Sequence, residues 1–240
     1  MLIKKLLLLF ALISVFSPLM AQDADLLEDR VLYKIVDVQT EQITMHWRAD
    51  NDSIIGSLGN LKSYFDANGK ALIFAMNGGM FHPDYSPVGL YIENNQELKK
   101  INISSGGGNF NLKPNGVFAL YNDNTGMICT SETFADDPNI KYATQSGPML
   151  LIDGKFHPAF NKGSANLNIR NGVGILPDGN IVFAISKGFI NFYDFALFFK
   201  NLGCKNALYL DGAVSQVQYP EEGWLQSGRK FGVLISVTKK

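Results

Sequence analysis

Most apolar segments of this chain are short, rich in β-branched and aromatic residues, and bounded by glycine, asparagine or aspartate. "VLYKIVDV" from Val31, "ITMHW" from Ile43, "ALIFAMN" from Ala71, "VGLYI" from Val88, "GVFALY" from Gly116 and "GMICT" from Gly126 predict β-strands. So do "GPMLLIDGKF" from Gly147, "GVGILPDGNIVFAIS" from Gly172, "NALYL" from Asn206 and "FGVLISV" from Phe231. Asp153-Gly154 and Asp178-Gly179 read as hairpin turns within two of them. Only two segments carry helical spacing. Ser57 caps one, with Leu58, Leu61, Tyr64 and Phe65 on a single face and Gly69 at its end. Asn191 caps the other, where Phe192, Phe195, Ala196 and Phe199 form a core stripe and Gly203 ends the helix. The strand-helix-strand order from Lys187 to Leu210 predicts one parallel pair joined by a crossover. The expected fold class is α+β: a single domain with a mixed, mainly antiparallel β-sheet and a few packed helices.

The N-terminus adds an address. Lys4 and Lys5 precede an apolar run from Leu6 to Phe16, Ser17-Pro18 breaks it, and Ala21 suits a cleavage site. Residues 1–21 are therefore expected to be a signal peptide and residues 22–240 the folded domain, periplasmic or secreted after cleavage. No later run approaches the ~18 apolar residues of a spanning helix. A formal net charge of −1 gives no electrostatic reason to expect nucleic acid or an anionic membrane. Cys129 and Cys204 are either a disulfide, which export permits, or two buried thiols. Neither has a second thiol or a histidine at ligand spacing, and "FADDPN" lacks the alternating oxygens of a calcium loop, so no metal and no cofactor is expected.

Candidate chemistry collects where apolar runs stop. "NGGMFHPD" at 77–84, "QSGP" at 145–148, "RNGVG" at 170–174 and "LDGAVSQ" at 210–216 are polar, glycine-bearing strand ends. Gly78-Gly79 offers positive φ or a close approach of backbone N–H groups to an anion or sugar hydroxyl. Asp211 stands at a strand terminus before Gly212, with its carboxylate free to be aimed. Arg170 precedes a buried strand, and its planar fork suits a phosphate or carboxylate. Each piece alone is more often an ordinary turn, a loop histidine or a solvated charge.

Together the stretches resemble the phosphodiester glycosidases, relatives of the lysosomal uncovering enzyme. The family pattern is Asn-Gly-Gly-x-Phe, then Ser-Gly-Pro before a strand, then Arg before a glycine-bearing strand, then Leu-Asp-Gly-Gly-Gly-Ser. It is matched here by Asn77, Gly78, Gly79 and Phe81; by Ser146, Gly147 and Pro148; by Arg170; and by Leu210, Asp211, Gly212 and Ser215. "HPDYSPVGLYI", "LKPNGVFAL", "ATQSGPML" and "GCKNALYLDG" are similar to an exported bacterial branch of that family. One departure stands out. Gly212-Ala213-Val214-Ser215 replaces the triple glycine, which implies a tighter or reshaped pocket.

The resemblance implies hydrolysis of a sugar-1-phosphodiester at its glycosidic side, in a glycan or cell-envelope polymer. Asp211 is the expected carboxylate, with His82 and Asp84 as proton-transfer or hydrogen-bonding candidates and Glu93 as a possible second carboxylate. Asn77, Gly78, Gly79, Ser146, Gly147, Arg170, Gly212 and Ser215 are the expected substrate-binding residues. The rival reading is a glycan-binding protein without turnover, with Tyr85 and Trp224 as stacking surfaces. A serine or cysteine hydrolase is disfavoured, because no Gly-x-Ser-x-Gly elbow occurs.

Overall fold

The computed structural model of the protein describes residues 27–212 and 214–240. The expected signal peptide at residues 1–21, the start near Gln22 and Ala213 lie outside the described residues.

Among the described residues, sixteen strands form three sheets. Six strands make the first: β1 (Val31–Val36), β9 (Met149–Ile152), β10 (Lys155–Phe156), β11 (Asn171–Ile175), β12 (Ile181–Ser186) and β13 (Ala207–Tyr209), in the order β1-β12-β11-β13-β9-β10. The second contains β2 (Glu41–His46), β3 (Phe74–Asn77), β14 (Val217–Tyr219), β15 (Trp224–Leu225) and β16 (Leu234–Lys239), ordered β15-β14-β3-β16-β2. The third contains β4 (Tyr91–Glu93), β5 (Gln96–Lys99), β6 (Gly116–Tyr121), β7 (Gly126–Thr130) and β8 (Ile140–Ser146), ordered β5-β4-β8-β6-β7. Two helices that lie wholly within the described residues, α1 (Leu58–Ala67) and α2 (Phe192–Asn201), pack outside.

Every strand pairing among the described residues is antiparallel, so the expected parallel pair is corrected. The crossover through α2 does join β12 to β13, and both run in the same direction. However, β11 lies between them and pairs with each. The α+β reading stands in its coarser form, a single sheet-dominated domain with two helices.

Side-chain alternation shows why the strands are so apolar. On β12, Ile181, Phe183 and Ile185 face a central core shared by all three sheets, while Val182 and Ala184 face α2. Both faces are covered, so the whole segment is hydrophobic. The helix caps follow the sequence. Ser57 Oγ accepts the Asn60 N–H at 3.1 Å, and Asn191 Oδ1 accepts the Asp194 N–H at 2.8 Å. Both helices end in paired backbone bonds around a left-handed glycine, Gly69 at φ +66° and Gly203 at φ +86°. Cys129 and Cys204 are both free thiols, which settles the open alternative, and burial pushes Cys204 up to about 12.

The glycine pair after β3 has a packing cause. A Cβ on Gly78 would lie 2.9 Å from Val233 Cγ1, and one on Gly79 would lie 2.5 Å from Thr144 Oγ1. The Gly78 N–H already donates to Val233 O at 2.8 Å. Neither glycine adopts positive φ, so the pair lets the chain pass between the second and third sheets. Of the two alternatives expected there, positive φ is absent and close approach is present, though to protein atoms, and the Gly78 N–H is taken by Val233.

Candidate active site

Strand ends from all three sheets meet around Asp211. Beyond β13 the chain continues through Leu210 to Asp211, whose backbone is held on both sides. The Asp211 N–H donates to Asn171 Oδ1 at 2.8 Å, and Asp211 O accepts from Asn77 Nδ2 at 3.3 Å and from Ser215 Oγ. Asn171 Nδ2 donates in turn to Asn77 O at 2.9 Å, and Asn77 Oδ1 accepts the Gln216 N–H at 3.0 Å. Ser146 Oγ, at the end of β8, donates to Leu210 O, while the Tyr209 N–H donates to Pro148 O at 3.1 Å. One short network therefore joins β3, β8, β11 and β13.

The close passes explain two of the expected glycines. A Cβ on Gly212 would fall 1.5 Å from Tyr209 Oη, so the phenol occupies the space a side chain would need. At Gly147 a Cβ would lie 2.6 Å from Asn115 Cβ and 3.0 Å from Phe110 O. Ser215 fastens the turn after Gly212, its Oγ donating to Gly212 O at 2.9 Å. Val214, which replaces a family glycine, packs against the apolar cluster containing Leu234 and Phe231.

The carboxyl of Asp211 differs from its backbone. Among the described residues no group hydrogen-bonds to it, and burial pushes it from 3.8 up to about 7. Nearby, Tyr209 is pushed up to about 12, chiefly by burial, with Arg170 opposing and Asp211 reinforcing the rise. The phenol therefore keeps its proton at neutral pH.

Arg170 lies behind this surface, 0% exposed. Its Nε donates to Ile190 O at 2.9 Å, and Nη2 donates to Asn166 O at 2.9 Å and to Asn166 Oδ1 at 3.0 Å. The guanidinium stacks 3.5 Å from the Phe192 ring centroid and lies 5.7 Å from that of Tyr209. Nη1 is buried without a hydrogen-bond partner, and no carboxylate pairs with the cation among the described residues. Burial lowers its proton affinity below that of an ordinary guanidinium.

Three expected catalytic residues share no hydrogen bond with the network. His82 and Asp84 are exposed in a compact turn, where Asp84 Oδ1 accepts the Ser86 hydroxyl at 2.7 Å and the Ser86 N–H at 3.0 Å. Those bonds, the hydroxyl first, hold the Asp84 carboxyl below the ordinary range. Glu93 accepts from Tyr91 Oη at 2.7 Å and lines a separate surface cleft with Trp47 and Arg48. Its neighbour Ile92 pairs with Ala143, three residues before Ser146, about 10 Å along the strand. Burial raises the Glu93 carboxyl, with Tyr91 opposing. Conversely, Asn171 and Tyr209 belong to the centre without having been singled out. The signal for Asn171 was an amide immediately after Arg170 in an apolar strand; for Tyr209 it was the position two residues before Asp211, on the same face.

The comparisons agree with this architecture. The sequence pattern of the phosphodiester glycosidases matches residues 70–229. Uncharacterized protein YigE of Escherichia coli K12 is 40% identical over 207 residues, spanning 85% of this chain and 80% of that protein. Among solved structures, the catalytic domain of zebrafish N-acetylglucosamine-1-phosphodiester alpha-N-acetylglucosaminidase, auto-inhibited by its pro-peptide, superposes with a TM-score of 0.54 at 14% identity. That match covers 88% of this chain and 83% of that one. A hypothetical protein from Synechocystis gives a TM-score of 0.57 at 12% identity, covering 88% of this chain and 59% of that one. At such identities the superpositions speak for the fold alone. With the family's pattern running through Asn77, Ser146, Arg170 and Asp211, and those residues or their immediate neighbours joined in one centre, the chain belongs to the phosphodiester glycosidase family.

Proposed function

We propose that this protein is an exported hydrolase that cleaves the glycosidic side of a sugar-1-phosphodiester in a glycan or cell-envelope polymer. The observation that carries the reading is the Asp211 carboxyl. Its backbone is held by the ends of β3 and β11, with Ser146 of β8 bonded to the preceding Leu210 carbonyl; its oxygens have no partner among the described residues, and burial brings it to about 7. A carboxyl that merely closed a turn would spend its oxygens on nearby N–H groups, as Asp84 does.

In this mechanism a water oxygen bonds to the anomeric carbon as the C1–O bond to phosphate breaks. The ionised Asp211 takes the water's proton and faces the positive charge growing on the sugar ring. The bonding electrons leave with the phosphate oxygen, giving a phosphomonoester and a free sugar. Phosphate is already stable as an anion, so the departing group needs positive charge nearby more than a strong acid. Arg170 supplies that charge from behind Tyr209 and Phe192, where low polarity lengthens its reach. Asn77, Ser146 and Asn171 act through the backbone, holding Asp211 still.

The test is sugar release from UDP-glucose and from a synthetic sugar-1-phosphate diester by purified protein and by its Asp211→Asn variant. Release that depends on Asp211 is expected. Binding of these ligands without release would make the protein a glycan-binding member of the family instead.

A further inference from the structure

Two loops hold the Arg170 guanidinium, whose Nε donates to Ile190 O and whose Nη2 donates to Asn166 O, both at 2.9 Å. Immediately before Ile190 stands Phe189, 69% exposed, and immediately after Asn166 stands Leu167, 49% exposed. The bridge between Asn168 and Ile190 ties the loops together through backbone bonds of 3.2 and 3.0 Å. It puts Leu167 and Phe189 at diagonal positions, about 7–8 Å apart and within reach of each other. A Cβ on Gly163 or Gly188 would meet nothing within 4 Å, so both loop tips stand clear of the fold.

The charge on these loops has one sign. Residues 161–168 and 187–191 carry Lys162 and Lys187 and no acid. Both lysines are exposed, and neither pairs with a carboxylate among the described residues. Arg30 joins them by donating to Phe189 O at 3.3 Å, but Asp194 meets it loosely at 3.9 Å and Glu28 and Asp29 precede it. The two lysines therefore set the local sign, which a net charge of −1 over the whole chain conceals. Through Arg30 the N-terminal end of the described chain reaches this same face. Residues 17–26, at most ~35 Å of chain, separate Leu27 from the apolar run Leu6–Phe16.

Exposed phenylalanine and leucine beside lysines suit a bilayer interface. The apolar side chains enter among acyl chains while the ammonium groups stay with the phosphates. A protein partner fits less well, because a stable interface takes about 800 Å² from each side and two side chains supply a small part of that. We propose that Leu167 and Phe189 seat this face on the surface of a bilayer containing anionic phospholipid, with Lys162 and Lys187 against the headgroups. The loops that position Arg170 are then the ones that touch the membrane. The proposal requires no turnover and stands whether or not the protein is a hydrolase.

Co-sedimentation with vesicles tests it, using phosphatidylcholine alone and an equal mixture of phosphatidylcholine and phosphatidylglycerol. Two lysines at an anionic surface strengthen binding about 30-fold. The mature protein, beginning near Gln22, is therefore expected to prefer the mixed vesicles by at least ~10-fold, and less so as salt rises. Lys162→Gln with Lys187→Gln should remove most of that preference, and Leu167→Ser with Phe189→Ser should weaken binding at least ~10-fold. Leu225→Ser, on β15 and 62% exposed, controls for general stickiness and should change nothing. All of these side chains are exposed, so melting temperatures should hold. Absence of binding to the mixed vesicles, binding that survives the Leu167 and Phe189 substitutions, a preference that survives the lysine substitutions, or an equal loss in Leu225→Ser would overturn the proposal. So would self-association in sedimentation velocity that disappears with Leu167→Ser and Phe189→Ser, since the patch would then join copies of the chain.

Discussion

Replacing Asp211 by asparagine keeps the shape of the side chain and removes its charge, with opposite expected effects on turnover and stability. Burial moves the carboxyl from 3.8 to about 7, so between those pH values the folded chain retains a proton that the unfolded chain has released. Stability therefore falls as pH rises through this window, and the full penalty applies above about 7. The raised proton affinity is worth about 4 kcal/mol at ~1.36 kcal/mol per tenfold step. Partial solvent contact of the side chain reduces this to about 2 kcal/mol. Asp211→Asn should thus melt about 4–8 °C above the wild-type protein at pH 8, with the difference vanishing near pH 4. Activity should fall at least ~100-fold, and the wild-type rate should rise with pH to a plateau beyond about 7, a limb absent from the variant. Differential scanning calorimetry across pH, paired with sugar release, reads both. A pH-independent melting difference, or full turnover in the asparagine protein, would refute the assignment.

Arg170→Gln should weaken binding of sugar phosphates by roughly tenfold or more and of the free sugar much less, measured on the folded fraction by calorimetry; equal losses would place the phosphate elsewhere. Asn171→Ala leaves the Asp211 N–H and Asn77 O without their partner, so it should cost about 1–3 kcal/mol in urea unfolding and lower kcat more than it changes KM. Glu93→Gln should leave sugar release unchanged, because Glu93 lies in a different cleft; a large loss of kcat would return it to the centre. His46, held by Thr44 Oγ1 at 2.8 Å and Ser236 Oγ at 3.0 Å, is pushed down from 6.5 to about 4 by burial. Its contribution to stability is full above about 6.5 and is lost as pH falls through about 4. Acid unfolding in the Asp211→Asn background should show that limb, and His46→Gln should flatten it.

Local pattern alone determined most of the strands, both helices and their caps, because a short apolar run, a capping Ser57 or Asn191 and a left-handed Gly69 or Gly203 act within a few residues. The turns at Asp153-Gly154 and Asp178-Gly179 were legible for the same reason, since positive φ at Gly154 and Gly179 is a property of the turn itself. The unusual surroundings of Asp211 were legible because a carboxylate at the end of a buried strand conflicts with its environment. What lay beyond reach depended on neighbours distant in sequence. The intrusion of β11 between β12 and β13 is decided by sheet order, which no local periodicity encodes. Gly78-Gly79 and Gly212 look alike on paper, yet one pair clears the crossing of two sheets and the other residue makes room for the Tyr209 phenol. His82, Asp84 and Glu93 have the right chemistry for proton transfer, and only the tertiary structure shows Asp84 bonded within its own turn and Glu93 lining a different cleft. Asn171 and Tyr209 enter it because the register of β11 against β13 places an amide opposite the Asp211 backbone and a phenol between Gly212 and Arg170.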